Sequence, residues 1–221
     1  MSSRVVHCED ALAWLEAAPV LEGCSLVTSL PDVSEFRLSL AEWKTWFTNT
    51  ASLVLSRCSS DGVTVFFQSD ITVDGAWVDK AYLVQKAAEA RGHALLWHKI
   101  ACRAPAGTLA AGRPAYSHVL CFAPTLRLRD PKDLRTDVLP STGEKTWESG
   151  MGLDVCRMVA RFVQTHTRSH TVVNPFCGEG AMLAAANAEG LSAIGIERSV
   201  KRCERARLQC VRADGQGWAN L

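Results

Sequence analysis

Hydrophobic positions along the chain fall into two alternating rhythms. Short runs rich in β-branched and apolar residues, Arg4–Cys8, Ser25–Ser29, Gly62–Gln68, Ala94–His98, His118–Phe122, Thr171–Asn174 and Ser192–Ile196, predict seven strands. Between most of them apolar residues recur at three- and four-residue steps, predicting helices over Ala11–Ala17, Leu40–Cys58, Lys80–Arg91, Asp154–Thr165, Ala181–Ala188 and Val200–Gln209. In the second of these the stripe is Leu40, Trp43, Phe47, Ala51, Val54 and Leu55. Strands alternating with helices imply a mainly parallel sheet covered on both faces. Only a Gly/Pro/Ala-rich loop from Arg103 to Pro114 separates Ala94–His98 from His118–Phe122, which predicts an antiparallel hairpin at the sheet edge. Internal repeats are absent, and the one linker-like stretch is Pro124–Gly152. The chain therefore reads as one domain over 1–221, with a half at 1–123, a linker or cover loop at 124–152 and a second half at 153–221.

Composition narrows the class. Of the 221 residues, 48% are hydrophobic, which excludes a disordered chain, and a formal net charge of +1 excludes a strongly cationic coat or an acidic tail. A local basic groove remains compatible with that balance, because association depends on where charges sit. The nine cysteines are scattered without a C-x-x-C pair, so a zinc site is not expected and no metal is assigned. Unpaired thiols in that number suit a reducing, intracellular compartment, cytoplasmic or nuclear, rather than a secreted one. No apolar run approaches the ~20 residues needed to span a bilayer.

The most informative segment is Val172-Val173-Asn174-Pro175-Phe176-Cys177-Gly178-Glu179-Gly180, a strand entering a Gly-x-Gly turn that opens an alanine-rich helix. Glycines there permit close approach of a ligand to the backbone, and the helix start offers N–H groups to an anion. The next strand, Ala193–Ile196, ends at Glu197, placed as carboxylates that accept from a ribose diol are placed. Only 41 residues follow Gly180, too few for the second half of a dinucleotide fold, so the remaining strands come from the N-terminal part. A permuted nucleoside-binding sheet of seven strands fits this count.

Asn174-Pro175-Phe176-Cys177-Gly178-Glu179-Gly180 resembles the D-P-F-x-G-x-G loop of S-adenosylmethionine-dependent methyltransferases, in particular the permuted group that modifies exocyclic amino groups of adenine or cytosine. Glu9-Asp10-Ala11-Leu12 resembles that group's G-D-x-L segment, Thr28-Ser29-Leu30-Pro31-Asp32 stands where it has T-S-P-P-Y, and Gly195-Ile196-Glu197 resembles its G-x-E. The resemblance implies a seven-stranded, mostly parallel, Rossmann-like, circularly permuted methyltransferase sheet with an antiparallel edge hairpin. It implies S-adenosyl-L-methionine as cofactor, held by Asp10, Thr28, Asn174, Pro175, Phe176, Cys177, Gly178, Gly180 and Glu197. It also implies that Ser29, Leu30, Pro31 and Asp32 form the catalytic loop, with Ser29 and the Leu30 carbonyl accepting the hydrogens of an aromatic amine. Asn174 departs from the usual Asp, Leu30 from a proline, and Asp32 from the aromatic residue that stacks on the base. Asp32 reads either as an acceptor or base at the target or as an N-cap of the following helix.

Other residues carry weaker readings. Phe36 can supply the missing stack or pack in the core, and Trp43, Trp46 and Phe47 read mainly as core, with Trp46 partly exposed. His166 and His170 are expected on a surface loop, and His93 and His98 at strand ends. Lys145, Glu148 and Ser149 fall where the resembling family covers the methionine end of the cofactor. Lys99, Arg103, Arg113, Arg127, Arg129, Lys132 and Arg135 cluster along the hairpin loop and linker and suit phosphate contacts or a solvated face. Arg202, Arg205 and Arg207 read as the exposed side of the last helix. With no room for a separate recognition domain, RNA is favoured over DNA as substrate. A DNA amino-methyltransferase and a catalytically silent subunit supporting a partner are the alternatives, and a protein partner or a homodimer can supply target recognition.

Overall fold

The computed structural model describes residues 2–109, 113–130, 136–148 and 150–219. Within them lie ten strands, β1 (Arg4–His7), β2 (Cys24–Thr28), β3 (Thr64–Gln68), β4 (Ile71–Val73), β5 (Ala76–Val78), β6 (Ala94–Cys102), β7 (Tyr116–Ala123), β8 (Val138–Leu139), β9 (Thr171–Asn174) and β10 (Ser192–Ile196). The helices are α1 (Ala11–Ala17), α2 (Leu40–Ser56), α3 (Lys80–Ala90), α4 (Leu153–His166), α5 (Ala181–Ala188) and α6 (Val200–Leu208), with a 3₁₀ turn at Val33–Glu35. All seven expected strands and six expected helices are present, with ends shifted by a few residues as fraying termini usually are.

Eight strands form one sheet in the order β1-β10-β9-β2-β3-β7-β6-β8. The first five pair parallel, and β7 runs antiparallel to both β3 and β6. Although β9 comes late in the chain, it lies between β10 and β2, well inside the sheet. The β6–β7 hairpin is antiparallel as expected, but it is not wholly at the edge. β7 is inserted between β3 and β6, and β8, from the linker-like stretch, adds a short parallel strand outside β6. Hairpin β4–β5 was not visible as a pattern, because each strand has three residues and shows no resolvable alternation. Its turn is marked by Asp74 and Gly75, both at positive φ.

Alternate residues of the central strands feed two cores. Val27, Val65, Phe67, Val119, Cys121 and Val172 face α4, α5 and α6, whereas Leu26, Phe66, Leu120, Phe122 and Val173 face α1, α2 and α3. Double-sided burial explains why these strands read as continuous apolar runs. Apolar packing of this kind contributes about 1.5–3 kcal/mol per fully buried large side chain.

At Gly180 the α5 backbone starts in the left-handed region, at φ 82°. A Cβ there would stand 2.7 Å from the Ala206 Cα on α6. Gly180 therefore serves the close packing of α5 and α6, and it does not line the ligand cavity described below. Gly180→Ala is expected to destabilise the fold by about 1–3 kcal/mol through overpacking and backbone strain. Urea unfolding checks this, and an unchanged midpoint would remove the close-packing account.

Candidate functional site

Because β1, β10, β9, β2 and β3 point the same way, their carboxyl ends deliver five loops to one edge of the sheet. Open α/β sheets bind ligands at that edge. These loops surround a cavity of about 430 Å³, lined by Asp10 after β1, Ser29–Asp32 after β2, Gln68–Asp70 at the end of β3, Asn174–Gly178 after β9 and Glu197 after β10.

One half of the cavity is a cradle of backbone and acceptors. Asn174, buried at the end of β9, accepts from the Phe176 N–H through Oδ1 at 3.2 Å and so shapes the turn. Gly178 follows at φ 55°, with the Trp147 indole 3.6 Å from where a Cβ would stand. Glu197 is buried, and its Oε1 accepts from the Ser199 N–H at 2.8 Å, with no protein partner for Oε2 among the described residues. Asp10 caps α1, with Oδ1 accepting from the Leu12 and Ala13 N–H groups at 3.0 Å each, and its Oδ2 is likewise unengaged among the described residues. Two carboxylates thus each keep an oxygen for a ligand's hydroxyl or amino groups. The Cys177 thiol lines the same half, and burial pushes it up to about 12, so it stays a neutral small wall residue. Thr28, by contrast, lies below the cavity, fully buried with its hydroxyl unpartnered among the described residues.

The other half is polar and cationic. The sequence reading missed Lys80, Gln68 and Asp70 here, because a lysine at a helix start and a glutamine in a strand carry no motif. Asp32 does cap the 3₁₀ turn: Oδ1 accepts from the Val33 N–H at 3.1 Å, and Glu35 returns a bond to the Asp32 N–H at 3.0 Å. The same Oδ1 accepts from the Lys80 Nζ at 3.0 Å. Lys80 is only 3% exposed, and burial pulls its ammonium below the ordinary lysine range against the opposing pull of Asp32. Leu30 turns its side chain into the core, and the Pro31 carbonyl accepts from the Trp43 Nε1 at 3.4 Å. Ser29 lines the cavity.

Beneath this half, Asp70 organises a buried network. Its Oδ1 accepts from the Lys80 backbone N–H at 2.8 Å, and its Oδ2 accepts from the Trp77 Nε1 at 3.1 Å and faces the His118 Nε2 at 2.9 Å. His118 continues to the His98 Nε2 at 2.9 Å. His98 therefore sits within β6 and not at a strand end, because β6 extends to Cys102. His166 closes α4, stacked on Phe162, and is not on a loop, whereas His170 is exposed just before β9. Phe36 and Trp46 are half-buried, pack with ring centroids 4.4 Å apart and line the cavity together.

The basic residues divide. Arg103, Arg113 and Lys145 line the cavity mouth, as does Arg202, whose guanidinium lies 4.7 Å from the Trp147 ring centroid. Arg202 is thus a cavity residue and not simply an exposed helix position. Arg205 pairs with Glu179, and Arg207 donates to the Val6 carbonyl at 3.0 Å, so both tie α6 to its neighbours. Lys99 is buried against the Thr136 carbonyl, and Arg127 bonds carbonyls of its own loop. Arg129 is exposed. Lys132, Arg135 and Ser149 lie outside the described residues.

No protein-family model and no curated protein matches the sequence. Solved structures do match the fold. TTHA0409 of Thermus thermophilus, a candidate DNA modification methylase complexed with S-adenosyl-L-methionine, superposes with a TM-score of 0.70 at 17% identity, over 92% of each chain. The cytosine-N4-specific PvuII DNA methyltransferase gives 0.73 at 16% identity, over 93% of this chain and 86% of that one. The M1.HpyAVI–SAM complex gives 0.63 at 15% identity, over 93% and 98%. The chain therefore has the Rossmann-like methyltransferase fold. No helix among the described residues is long and apolar enough to cross a membrane.

Burial pushes the Asp70 carboxyl upward, but bonds from His118, Lys80 and Trp77 outweigh it and lower its pKa from the ordinary 3.8. Its stabilising contribution is complete above that value and is lost as pH falls through the folded-state value. Asp70→Asn is expected to cost about 1–3 kcal/mol at neutral pH and to flatten the acid limb of stability below about 3.8. Denaturant titrations across pH check both, and parallel acid limbs would exclude Asp70 as a contributor.

Proposed function

We propose that this chain is an S-adenosyl-L-methionine-dependent methyltransferase acting on an exocyclic amino group of a nucleic-acid base, with DNA the favoured substrate. The observation that carries the proposal is the single carboxyl-edge cavity, which joins an acceptor-bearing glycine cradle to the Ser29–Asp32 loop. The preference for RNA drawn from the sequence rested on the absence of a separate recognition domain. That ground does not discriminate, because the chain spans 92% of TTHA0409 and 86% of the PvuII DNA methyltransferase. RNA becomes the comparison arm of the test.

The residues present fit the cofactor. Glu197 and Asp10 each keep a carboxylate oxygen for hydroxyl or adenine amino hydrogens, and Gly178 leaves the turn open to close approach. Asn174, Pro175, Phe176 and Cys177 complete the wall, with Thr28 and Gly180 supporting it from behind. When bound there, S-adenosyl-L-methionine supplies a methyl group carried on a sulfonium. The protein's task is then placement, because a displacement needs its nucleophile in line at roughly 3–3.5 Å. The Ser29 hydroxyl and the Leu30 carbonyl accept the amino hydrogens and turn the nitrogen lone pair out of ring conjugation. The Pro31 carbonyl is engaged by Trp43 and holds the loop in place. Asp32, engaged by Val33 and Lys80, acts as a positioning residue for Lys80. Arg103, Arg113 and Lys145 at the mouth suit backbone phosphates.

Two sets of variants test this. Glu197→Ala should weaken cofactor binding by about 1.5–3 kcal/mol, as for a bond to a charged group, and Gly178→Val should abolish it in a folded protein. Calorimetry reads both, and unchanged affinity in either folded variant would displace the pocket. Asp32→Asn keeps a carbonyl acceptor for Val33 and Lys80, so a positioning role predicts less than tenfold loss of kcat with a larger rise in KM for the nucleic acid. A drop of 10²–10⁴-fold in kcat alone would make Asp32 the general base. Methyl incorporation into DNA and RNA separates those substrates, and cofactor binding without either product would identify a non-catalytic partner subunit.

A further inference from the structure

The target half of the cavity contains more hydrogen-bond donors than the protein itself uses. Gln68 closes β3 with its side chain 1% exposed, lines the cavity, and has no partner for Nε2 among the described residues. Leaving such a group unpaired costs about as much as a lost buried hydrogen bond, so an acceptor brought into the cavity would be favoured there. Lys80, 3% exposed and lining the same cavity, directs one donor to Asp32 and lies 5.7 Å from the Trp43 ring centroid, with no second hydrogen-bond acceptor for its ammonium among the described residues. The two lie on one side of the site. Thr28 pairs with Phe66, two residues before Gln68, so the Ser29–Asp32 loop leaves its strand beside the end of β3. The local acceptors are already occupied: Asp70 takes three bonds, and Ser69 pairs with Ser117 at 2.6 Å.

Resting on the methyltransferase reading, we propose that Gln68 and Lys80 are specificity-determining residues that hold two neighbouring acceptors beside the reacting amine, selecting cytosine. On the cytosine edge the exocyclic amine is followed by ring N3 and then the O2 carbonyl, both acceptors, one for each donor. On adenine the amine is followed by N1 and then C2–H, which leaves one buried donor unpaired. On guanine the amine stands between N1–H, a donor facing a donor, and N3, beyond which lies the glycosidic N9 and no second acceptor. Ser29 and the Leu30 carbonyl take the amino hydrogens, so acceptors meet the amine and donors meet the rest of the edge. Methyl transfer then forms the N4–CH3 bond as the sulfonium C–S bond breaks, with the electron pair passing to sulfur and one N4 proton released to solvent.

The test combines binding and product analysis on the full chain. Short DNA and RNA strands with a single unpaired cytosine or adenine are titrated with S-adenosylhomocysteine present, and the products formed with S-adenosylmethionine are digested and identified by mass spectrometry. The expected results are at least about tenfold tighter binding of the cytosine strand, N4-methylcytosine as product, and loss of the preference in Gln68→Glu. That change preserves size and replaces a donor by an acceptor; Lys80→Met gives an independent second variant, and calorimetry with S-adenosylhomocysteine confirms that both retain a folded cofactor half. Preference for adenine, or a cytosine preference unchanged in both folded variants, overturns the assignment of Gln68 and Lys80 while leaving the methyltransferase reading intact. Failure of the wild-type protein to bind the cofactor overturns that reading and the assignment with it.

Discussion

Parallel alignment of five neighbouring strands is the constraint from which the site follows. Strands that run the same way end at the same edge, so residues from 10 to 197 converge although they are far apart in sequence. The alignment is possible because α1–α3 cover one face and α4–α6 the other, burying β2, β3 and β9 throughout while edge strand β1 stays partly exposed. Antiparallel β7 ends the parallel block without leaving an open edge beside the site. Reversing one strand of the block would carry its loop to the opposite edge and divide the cavity.

Within the cavity the two halves use different physics. The cradle around Asn174–Gly178 relies on what is absent, a Cβ at a positive φ, and on carboxylate oxygens left unspent by local caps. The target half relies on a buried cation, an unpaired amide and a carboxylate network beneath them. Burying Lys80 is costly, and Asp32 offsets part of that cost through a single short bond. The ion pair occupies the loop in which the resembling family places an aromatic residue. Phe36 and Trp46, paired at the cavity wall, add to the aromatic surface that Trp147 and Phe176 also present there.

Much of this was legible in the chain. Strands β9 and β10 and helix α5 were delimited to the residue, because β-branched runs, a Gly-x-Gly turn and an alanine-rich stretch are local signals. Asn174, Cys177, Gly178 and Glu197 are picked out by the same signals, and they line one cavity at the ends of adjacent strands. Of the two readings of Asp32, the capping one is visible in the fold, where Glu35 accepts from the Asp32 N–H and Asp32 accepts from the Val33 N–H. Hairpin β4–β5 was beyond reach, since three residues carry too little periodicity to distinguish a strand from a loop.

The order of the seven main strands and six helices, the double-sided burial and the glycine turn can be read along the chain, because each depends on neighbours within a few residues. Tertiary packing places β7 inside the sheet, sets Gly180 against α6 and brings Arg202 over Trp147. It alone joined Asp32 to Lys80 across 48 residues and Asp70 to His118 across another 48. Such partnerships leave no local trace, because a side chain's partner is chosen by strand order and helix packing, which long-range burial sets and spacing along the chain does not record.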